Sequence, residues 1–190
     1  MGIRAVKMRR AVFLDRDGVL NRAIIRGGDL FPPQTVAELE ILPGVLEACN
    51  ILREAGFLLI VVTNQPDVSR GSTTKEMVEE INNVVRSRLP LDDIRVCYHD
   101  DRDQCACRKP APGLLLEAAK EWGIDLKESF MVGDRWKDVE AGKGAGCRTV
   151  LTEAPGTSGR RSSPDHSSES LHSAADWIVR QVPQGTREDR

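Results

Sequence analysis

Two aspartates, Asp15 and Asp17, stand directly after the apolar run 11–14 and directly before Gly18. A short apolar run of this kind predicts a buried strand, and open α/β sheets bind ligands at the carboxyl ends of their strands. Carboxylates at positions i and i+2 of an extended chain share a side, so this pair could supply a nucleophile, a proton donor and ligands for a hard cation. A calcium loop or a solvated turn is the alternative, although an EF-hand loop has its glycine at the sixth position rather than the fourth.

Three further polar groups follow apolar runs or open helical segments. They are Thr63-Asn64-Gln65, Arg108-Lys109 and the segment that holds Asp134, Arg135 and Asp138. Because parallel strands end at one edge of a sheet, a hydroxyl, an ammonium and several carboxylates would converge there. Each group also has a structural alternative: a threonine that caps its own turn, a solvated basic pair, and a carboxylate in the first turn of a helix.

This order of motifs resembles the haloacid dehalogenase superfamily of phosphohydrolases over about residues 11–151. Within it, the chain is similar to the branch of heptose-bisphosphate and histidinol-phosphate phosphatases. The resemblance implies an α/β fold with a Rossmann-like, doubly wound parallel sheet and flanking helices. Segments 21–43 and 64–109 are too short for a cap domain, so we expect the capless type with an open site.

The resemblance also implies the catalytic roles. Asp15 would attack phosphorus and form an aspartyl-phosphate, which divides hydrolysis into two steps. Asp17 would protonate the leaving alkoxide and then deprotonate the attacking water. Thr63 would bind the transferred phosphoryl group through its hydroxyl, together with the amide of Asn64, and Lys109 would balance its charge.

The implied cofactor is Mg²⁺, with Asp15, the backbone carbonyl of Asp17 and Asp134 as ligands. Arg135 would add only a backbone contact. Asp138 would either bind the ion through water or serve as a first-turn carboxylate of its helix.

The implied substrate is a small sugar phosphate. Its expected contacts are Asp15, Arg16, Asp17, Thr63, Asn64, Gln65, Arg70, Arg108 and Lys109. Arg70-Gly71 resembles the heptose-bisphosphate enzymes more than the histidinol-phosphate enzymes, and a second phosphate would need arginine partners, for which Arg22, Arg26, Arg70 and Arg108 are the candidates.

The reaction implied most directly is removal of the C7 phosphate of heptose 1,7-bisphosphate, in nucleotide-activated heptose biosynthesis. Histidinol-phosphate phosphatase is the close alternative. A polynucleotide 3′-phosphatase would need a basic groove, and a sugar-phosphate sensor would not need Asp15 and Asp17 together.

A second cluster, Cys97, His99, Cys105 and Cys107, follows the pattern Cys-x-His-x5-Cys-x-Cys. Three thiolates and one imidazole at this spacing suit tetrahedral Zn²⁺, and four protein ligands would make the site structural. The ion would close the loop that ends at Lys109. The alternative is a group of reduced thiols near a surface histidine.

The bulk composition limits the possible partners. Lys and Arg number 27, Asp and Glu number 29, and the net charge is −2, so we expect no nucleic-acid partner. No run of 18 apolar residues is present, so no membrane partner is expected, and the amino terminus lacks a signal-peptide core. We therefore expect a cytoplasmic protein, and a monomer.

The elements that must position these residues alternate between strand and helix, which predicts right-handed crossovers in a parallel sheet. Strands are predicted at 11–14, 58–63, 94–98, 129–132 and 148–151, and helices at 43–55, 73–89, 112–122 and 136–145. One phosphatase domain is expected over 1–182. It includes a mobile segment at 155–173, an apolar stretch at 174–179 that docks back, and a frayed tail at 183–190.

Overall fold

A computed structural model describes residues 8–153 and 162–182. Its strands are β1 (Arg10–Leu14), β2 (Ile24–Arg26), β3 (Asp29–Phe31), β4 (Phe57–Asn64), β5 (Asp93–Cys97), β6 (Phe130–Gly133), β7 (Arg148–Thr152) and β8 (His166–Ser168). Its helices are α1 (Val45–Glu54), α2 (Lys75–Arg88), α3 (Gly113–Trp122), α4 (Trp136–Ala145) and α5 (Leu171–Arg180). Short 3₁₀ turns lie at Val36–Glu38, Asp101–Asp103 and Leu126–Glu128.

Six strands form a parallel sheet in the order β5-β4-β1-β6-β7-β8. The central strand β1 is fully buried from Ala11 to Leu14, because helices cover both faces of the sheet. The chain builds outward from β1 through β4 to β5 and then returns to β6 on the other side. This reversal creates a switch point between β1 and β6, where doubly wound sheets bind their ligands.

A small hairpin of β2 and β3 stands above this switch point. Its strands pair antiparallel, and Gly27 and Gly28 occupy the turn with φ of 61° and 93°, as a two-residue hairpin loop requires. Leu30 lines a polar cleft on one side of the hairpin and an apolar groove on the other.

The insertion that carries the hairpin is closed at its base by backbone hydrogen bonds. The Arg22 N–H donates to the Glu40 carbonyl at 2.9 Å, and the Leu42 N–H donates to the Leu20 carbonyl at 3.0 Å. Asn21 lies between these two bonds and pairs with Ile41 in an isolated bridge. The two ends of the insertion are therefore held together independently of its length.

All five predicted strands and all four predicted helices are present, with ends that shift by up to two residues. The first two helices each begin two residues later than predicted, and in the first of them Pro43 was expected in the first turn. Helix α1 begins instead at Val45, because Gly44 has a left-handed φ of 75° at the N-cap. The strands β2, β3 and β8 were not predicted.

The carboxyl-terminal part of the fold is more ordered than the sequence suggested. Residues 166–168 pair parallel with β7, and α5 begins at Leu171, within the stretch that was expected to be mobile. Helix α5 docks as expected, with Ala174, Ala175 and Ile178 fully buried. The rest of the expected mobile segment at 155–161, the tail at 183–190 and residues 1–7 lie outside the described residues.

No helix in the described ranges 8–153 and 162–182 is long and apolar enough to cross a membrane.

Candidate active site

The carboxyl ends of β1, β4 and β6 bring the predicted motifs together. Asp15 follows β1, Thr63 lies at the end of β4, and Asp134 follows β6. Beside them opens a cleft of about 350 Å³. The predicted residues that line it are Asp15, Asp17, Thr63, Asn64, Arg70, Arg108, Lys109, Arg135 and Asp138.

Lys109 forms the cationic centre of the site. Its Nζ donates to Asp15 Oδ1 at 2.7 Å and to the Val62 carbonyl at 2.8 Å, and it lies 2.6 Å from Asp138 Oδ1. Burial alone would lower the pKa of Lys109, but the charges of Asp138 and Asp15 outweigh it and raise the pKa above its ordinary value. The ammonium is therefore fixed against the predicted nucleophile.

Asn64 holds the backbone of Lys109 in place. Its side-chain oxygen accepts from the Lys109 N–H at 3.1 Å, and its Nδ2 donates to the Lys109 carbonyl at 3.0 Å. Sequence reasoning placed Asn64 at the phosphate through its amide. The structure adds that its side chain serves the lysine.

A buried carboxylate cluster lies next to this ammonium. Asp15, Asp134 and Asp138 each offer an oxygen within 4.8 Å of the others, and neither oxygen of Asp134 has a hydrogen-bond partner among the described residues. Burial raises the pKa of Asp134 to about 8 and that of Asp15 to about 6, and the neighbouring carboxylates add to both shifts. Two unpartnered oxygens of this kind fit a hard cation, since a cation would both ligate and neutralise them.

Gly18 makes room for this cluster. A Cβ atom at position 18 would lie 2.4 Å from Asp134 Oδ2, and the residue has a left-handed φ of 100°. Asp138 is less free than Asp134, because its oxygens face Lys109 Nζ and the Arg135 N–H. The first-turn interpretation of Asp138 is thus the one its contacts favour.

Asp17 is held by nitrogen donors on every side except the cleft. Arg16 donates to both of its oxygens at 3.2 and 3.1 Å, Asn21 donates to Oδ1 at 3.0 Å, and Gln65 donates to Oδ2 at 2.7 Å. Gln65 also donates to Thr63 Oγ1 at 2.9 Å. Arg16 and Gln65, which were predicted to contact substrate, have buried side chains that hydrogen-bond to Asp17 and do not line the cleft.

The rim of the cleft carries arginines paired with acidic residues of the Cys/His loop. Arg70 forms two hydrogen bonds with Asp100, at 2.8 and 3.1 Å, and Arg108 donates to Asp101 at 2.7 Å. Both arginines line the cleft, as expected for contacts to a distal group of the substrate.

Two arginines that were predicted to bind substrate do not line the cleft, and several residues that do line it were not predicted. Arg22 and Arg26 pair with Glu40 and Glu38 and do not line the cleft. Sequence reasoning missed the cleft residues Leu30, Phe31, Pro32, Trp136 and Lys137. The signals were present, because Gly27-Gly28 between apolar pairs is a hairpin pattern and Trp136 directly follows the last acidic motif.

The Cys/His cluster has the dimensions of a tetrahedral metal site. The three sulfur–sulfur distances are 3.7, 3.3 and 3.3 Å, and His99 Nδ1 lies 3.5 Å from Cys97 Sγ and 3.3 Å from Cys107 Sγ. Ligands around Zn²⁺ at ordinary bond lengths would be about 3.5–3.8 Å apart. Burial opposes ionisation of Cys105, but hydrogen bonds from neighbouring groups outweigh it and lower its pKa to about 7. The four residues fit a zinc ion.

This cluster is joined directly to Lys109, the lysine for which a catalytic role is predicted. Cys97 ends β5, and Cys107 precedes Arg108 and Lys109. The loop also packs against the start of α3, where a Cβ on Gly113 would lie 2.2 Å from the Ala106 carbonyl oxygen. Only Arg108 separates Cys107 from Lys109, so any movement of the cluster would be passed on to Lys109.

Comparisons with known proteins agree with this geometry. A D-glycero-beta-D-manno-heptose-1,7-bisphosphate 7-phosphatase from Pasteurella multocida is 37% identical over 158 residues, which cover 77% of this chain and 83% of that protein. The enzyme of the same name from Escherichia coli K12 is 33% identical over 181 residues, with coverage of 89% and 87%.

A solved structure gives the same result. The D,D-heptose 1,7-bisphosphate phosphatase from B. bronchiseptica, complexed with magnesium and phosphate, superposes with a TM-score of 0.79 at 27% identity and covers 91% of this chain and 99% of that one. The family model for haloacid dehalogenase-like hydrolases matches residues 28–146. Together with the arrangement of Asp15, Lys109 and Asp134, these matches establish that the chain belongs to the haloacid dehalogenase-like hydrolase family.

Proposed function

We propose that the protein is a magnesium-dependent phosphomonoesterase that removes the C7 phosphate of D-glycero-D-manno-heptose 1,7-bisphosphate. The observation that carries this proposal is the site itself: Asp15 lies 2.7 Å from the Lys109 ammonium and within 4.8 Å of the Asp134 carboxylate, which accepts no hydrogen bond from the described residues. A carboxylate so placed could attack an anionic phosphate because the Lys109 ammonium, together with a cation held by the carboxylates, would offset the repulsion between the two anions.

In the first half-reaction, an Asp15 oxygen attacks phosphorus and the bond to the leaving sugar oxygen breaks. Asp17 donates a proton to that oxygen as it departs. Lys109 stabilises the charge on the transferring group. The Thr63 hydroxyl accepts from Gln65, so its own hydrogen is left to donate to a phosphoryl oxygen. In the second half-reaction, Asp17 takes a proton from water, which hydrolyses the aspartyl-phosphate.

The carboxylate cluster is the proposed Mg²⁺ site. Asp15, Asp134 and the Asp17 carbonyl would hold the ion, with a backbone contact from Arg135. When bound, Mg²⁺ would screen the repulsion between Asp15 and the phosphate. Zn²⁺ is proposed for Cys97, His99, Cys105 and Cys107, where four ligands leave no open position and the role is structural.

The heptose bisphosphate is proposed from the names of the relatives and from the charge of the cleft. Arg70 and Arg108 line it beyond the Lys109 centre, and a second phosphate would interact with their guanidinium groups. A substrate with one phosphate would leave these arginines with only their acidic partners.

The direct test is magnesium-dependent phosphate release from heptose 1,7-bisphosphate, histidinol phosphate and a 3′-phosphorylated oligonucleotide. We expect the highest kcat/KM for the heptose bisphosphate. Asp15→Asn should abolish turnover, because an amide cannot form the covalent intermediate, whereas Glu54→Gln, an exposed carboxyl on α1, should not change it. Near-normal turnover by Asp15→Asn would contradict the covalent mechanism, and preference for another substrate would contradict the substrate assignment.

A further inference from the structure

Arg16 connects Asp17 to a part of the fold that lies outside all the catalytic motifs. Its Nε and Nη2 donate to the two oxygens of Asp17, and its Nη1 donates to Asn82 Oδ1 at 2.7 Å. Asn82 lies on α2, 66 positions further along the chain. The guanidinium therefore bridges the proposed proton donor and the middle of a helix.

Because Arg16 is buried, its hydrogen bonds to Asp17 and Asn82 cannot be replaced by water. Arg16 is 0% exposed, so its charge has no water to solvate it and depends on the groups that its nitrogens contact. The edge of the guanidinium with Nε and Nη2 is occupied by Asp17, and Nη1 faces Asn82. A planar group held along two edges cannot rotate, whereas one held only by Asp17 could swing together with that side chain.

A buried asparagine on the apolar face of α2 is unfavourable for stability unless its hydrogen bond with Arg16 is needed. Asn82 is 1% exposed, on the face of α2 that buries Val78, Ile81 and Val85. Its Nδ2 has no hydrogen-bond partner in the part of the chain that the structure describes. Arg16 has only donors, so the oxygen of Asn82 must be the atom that faces it. An apolar residue would satisfy the helix face without an unpaired amide, but it could not accept from Arg16.

We propose that Asn82 is a positioning residue for proton transfer in the phosphatase reaction. It fixes the Arg16 guanidinium, and the guanidinium fixes the Asp17 carboxyl in the orientation that reaches the leaving oxygen. This inference rests on the proposed function. Asn21 and Gln65 also hold Asp17, so loss of Asn82 misaligns the acid rather than removing it.

The test uses leaving groups that differ in their need for a proton. p-Nitrophenolate departs readily without protonation, whereas an alkoxide, as from a phosphorylated primary alcohol, does not. The series runs from p-nitrophenyl phosphate through phenyl phosphate to an alkyl phosphate. The dependence of kcat/KM on the leaving group reports the step in which Asp17 acts as acid. The series needs no knowledge of the natural substrate.

We expect Asn82→Leu to lower kcat/KM for the alkyl phosphate by about 10-fold or more, a part of the full value of general acid catalysis, and to change p-nitrophenyl phosphate by less than about 3-fold. Asn83→Leu is the matched control, since the neighbouring residue on α2 is exposed and should leave the whole series unchanged. Asn82→Asp keeps an acceptor facing Arg16 and should retain the leaving-group dependence of the unaltered protein.

Equal losses for all leaving groups in Asn82→Leu would overturn the proposal, because a general loss of structure has no leaving-group dependence. Asn82→Asp with the same defect as Asn82→Leu would also overturn it. If Asn82→Leu does not fold, Asn82→Ala carries the same comparison with Asn82→Asp. An unaltered protein that hydrolyses neither these esters nor heptose 1,7-bisphosphate would instead contradict the proposed function.

Discussion

The buried carboxylate of Asp134 suits a bound cation but destabilises the fold when no cation is present. Both of its oxygens are buried without a hydrogen-bond partner among the described residues, the Arg135 guanidinium lies no closer than 3.8 Å, and its neighbours Asp15 and Asp138 are also acidic. Without a cation, ionising this residue is unfavourable, and this is what its pKa of about 8 expresses. The site therefore gains the capacity to bind a cation at the expense of stability in the metal-free protein.

The pH dependence of stability follows from this conflict. Asp15 and Asp134 have an ordinary pKa of 3.8, and folding raises these values to about 6 and about 8. For a raised pKa, the folded state is favoured most below the ordinary value, and this advantage is lost as pH rises through the folded value. We expect the Tm of the metal-free protein to fall between pH 4 and pH 8 relative to Asp134→Asn, and the increase in Tm caused by Mg²⁺ to be larger at pH 8 than at pH 5. A Mg²⁺ effect that is equal at both pH values would contradict this.

Removal of the Asp134 charge gives a complementary prediction. Asp134→Asn should raise the metal-free stability at pH 8 by up to about 5 kcal/mol, since folding raises the pKa of Asp134 from 3.8 to about 8 and each pKa unit corresponds to about 1.4 kcal/mol. The same variant should lose the stabilisation by Mg²⁺ and the activity. Thermal unfolding with and without Mg²⁺ measures both effects, and Glu54→Gln is the control. A metal-free Asp134→Asn protein that is less stable than the unaltered protein would show that Asp134 has a structural partner.

Arg70 tests the proposed second phosphate. Arg70→Ala should lower kcat/KM for a bisphosphate by roughly 10- to 100-fold and change a monophosphate little, because a charge-assisted contact contributes about 1.5–3 kcal/mol. The loss should appear mainly in KM if the contact is equal in ground and transition states. Arg22→Ala is the matched control, since Arg22 lies away from the cleft. Equal losses for both substrate types would place Arg70 at the reacting phosphate or in a structural role.

The long strands and the helices could be predicted from apolar runs in the sequence, whereas the contacts between polar side chains could not. The strands β1, β4 and β6 are continuous apolar segments, so both their positions and the convergence of Asp15, Thr63 and Asp134 could be predicted. The strands β2, β3 and β8 have three residues each, and the last is the polar segment His166–Ser168, so neither length nor periodicity identified them. Pairings that join distant segments, such as Asn64 with Lys109, depend on side-chain directions that no local pattern contains.

The loop that carries Cys97, His99, Cys105 and Cys107 should bind zinc and thereby hold Lys109 in place. Protein expressed with adequate metal should contain about one zinc per chain, and Cys107→Ser should lower both the zinc content and the activity, because the loop leads directly into Lys109. The sheet should remain folded, since β1, β4 and β6 lie elsewhere. Metal analysis, circular dichroism and phosphate release measure these effects, with Cys147→Ala as a control outside the cluster. Full activity in protein that contains no zinc would contradict the structural role.

For the whole molecule, the carboxyl-terminal helix completes the core on one side of the sheet. Trp177 of α5 meets the edge of Phe130 at a centroid distance of 6.0 Å and stacks on His166 at 4.4 Å. The Arg148 guanidinium lies 5.1 Å from the Phe130 ring and 4.9 Å from the Trp177 ring. These contacts tie α5 to β6, β7 and β8, on the part of the sheet that holds Asp134.

Trp177→Ala should therefore lower the free energy of unfolding by about 2–3 kcal/mol, as expected for truncating a large, partly buried aromatic side chain. Activity per folded molecule should hardly change, because Trp177 does not line the cleft. Denaturant unfolding and phosphate release at low temperature separate the two effects. Leu116→Ala, at a site that is 44% exposed on α3, should cost no more than about 0.5 kcal/mol. Equal costs for both variants would show that α5 contributes little.

The closed base of the insertion that carries the β2–β3 hairpin has an evolutionary consequence. Two backbone hydrogen bonds and one bridge fasten the neck at Leu20–Arg22 and Glu40–Leu42, so what lies between can change without pulling on Asp17. The hairpin contributes Leu30 and Phe31 to the wall of the cleft but holds no residue of the proposed chemistry. Residues 23–39 could therefore be exchanged between relatives as a unit. Such an exchange would replace one wall of the cleft and leave the reacting groups in place.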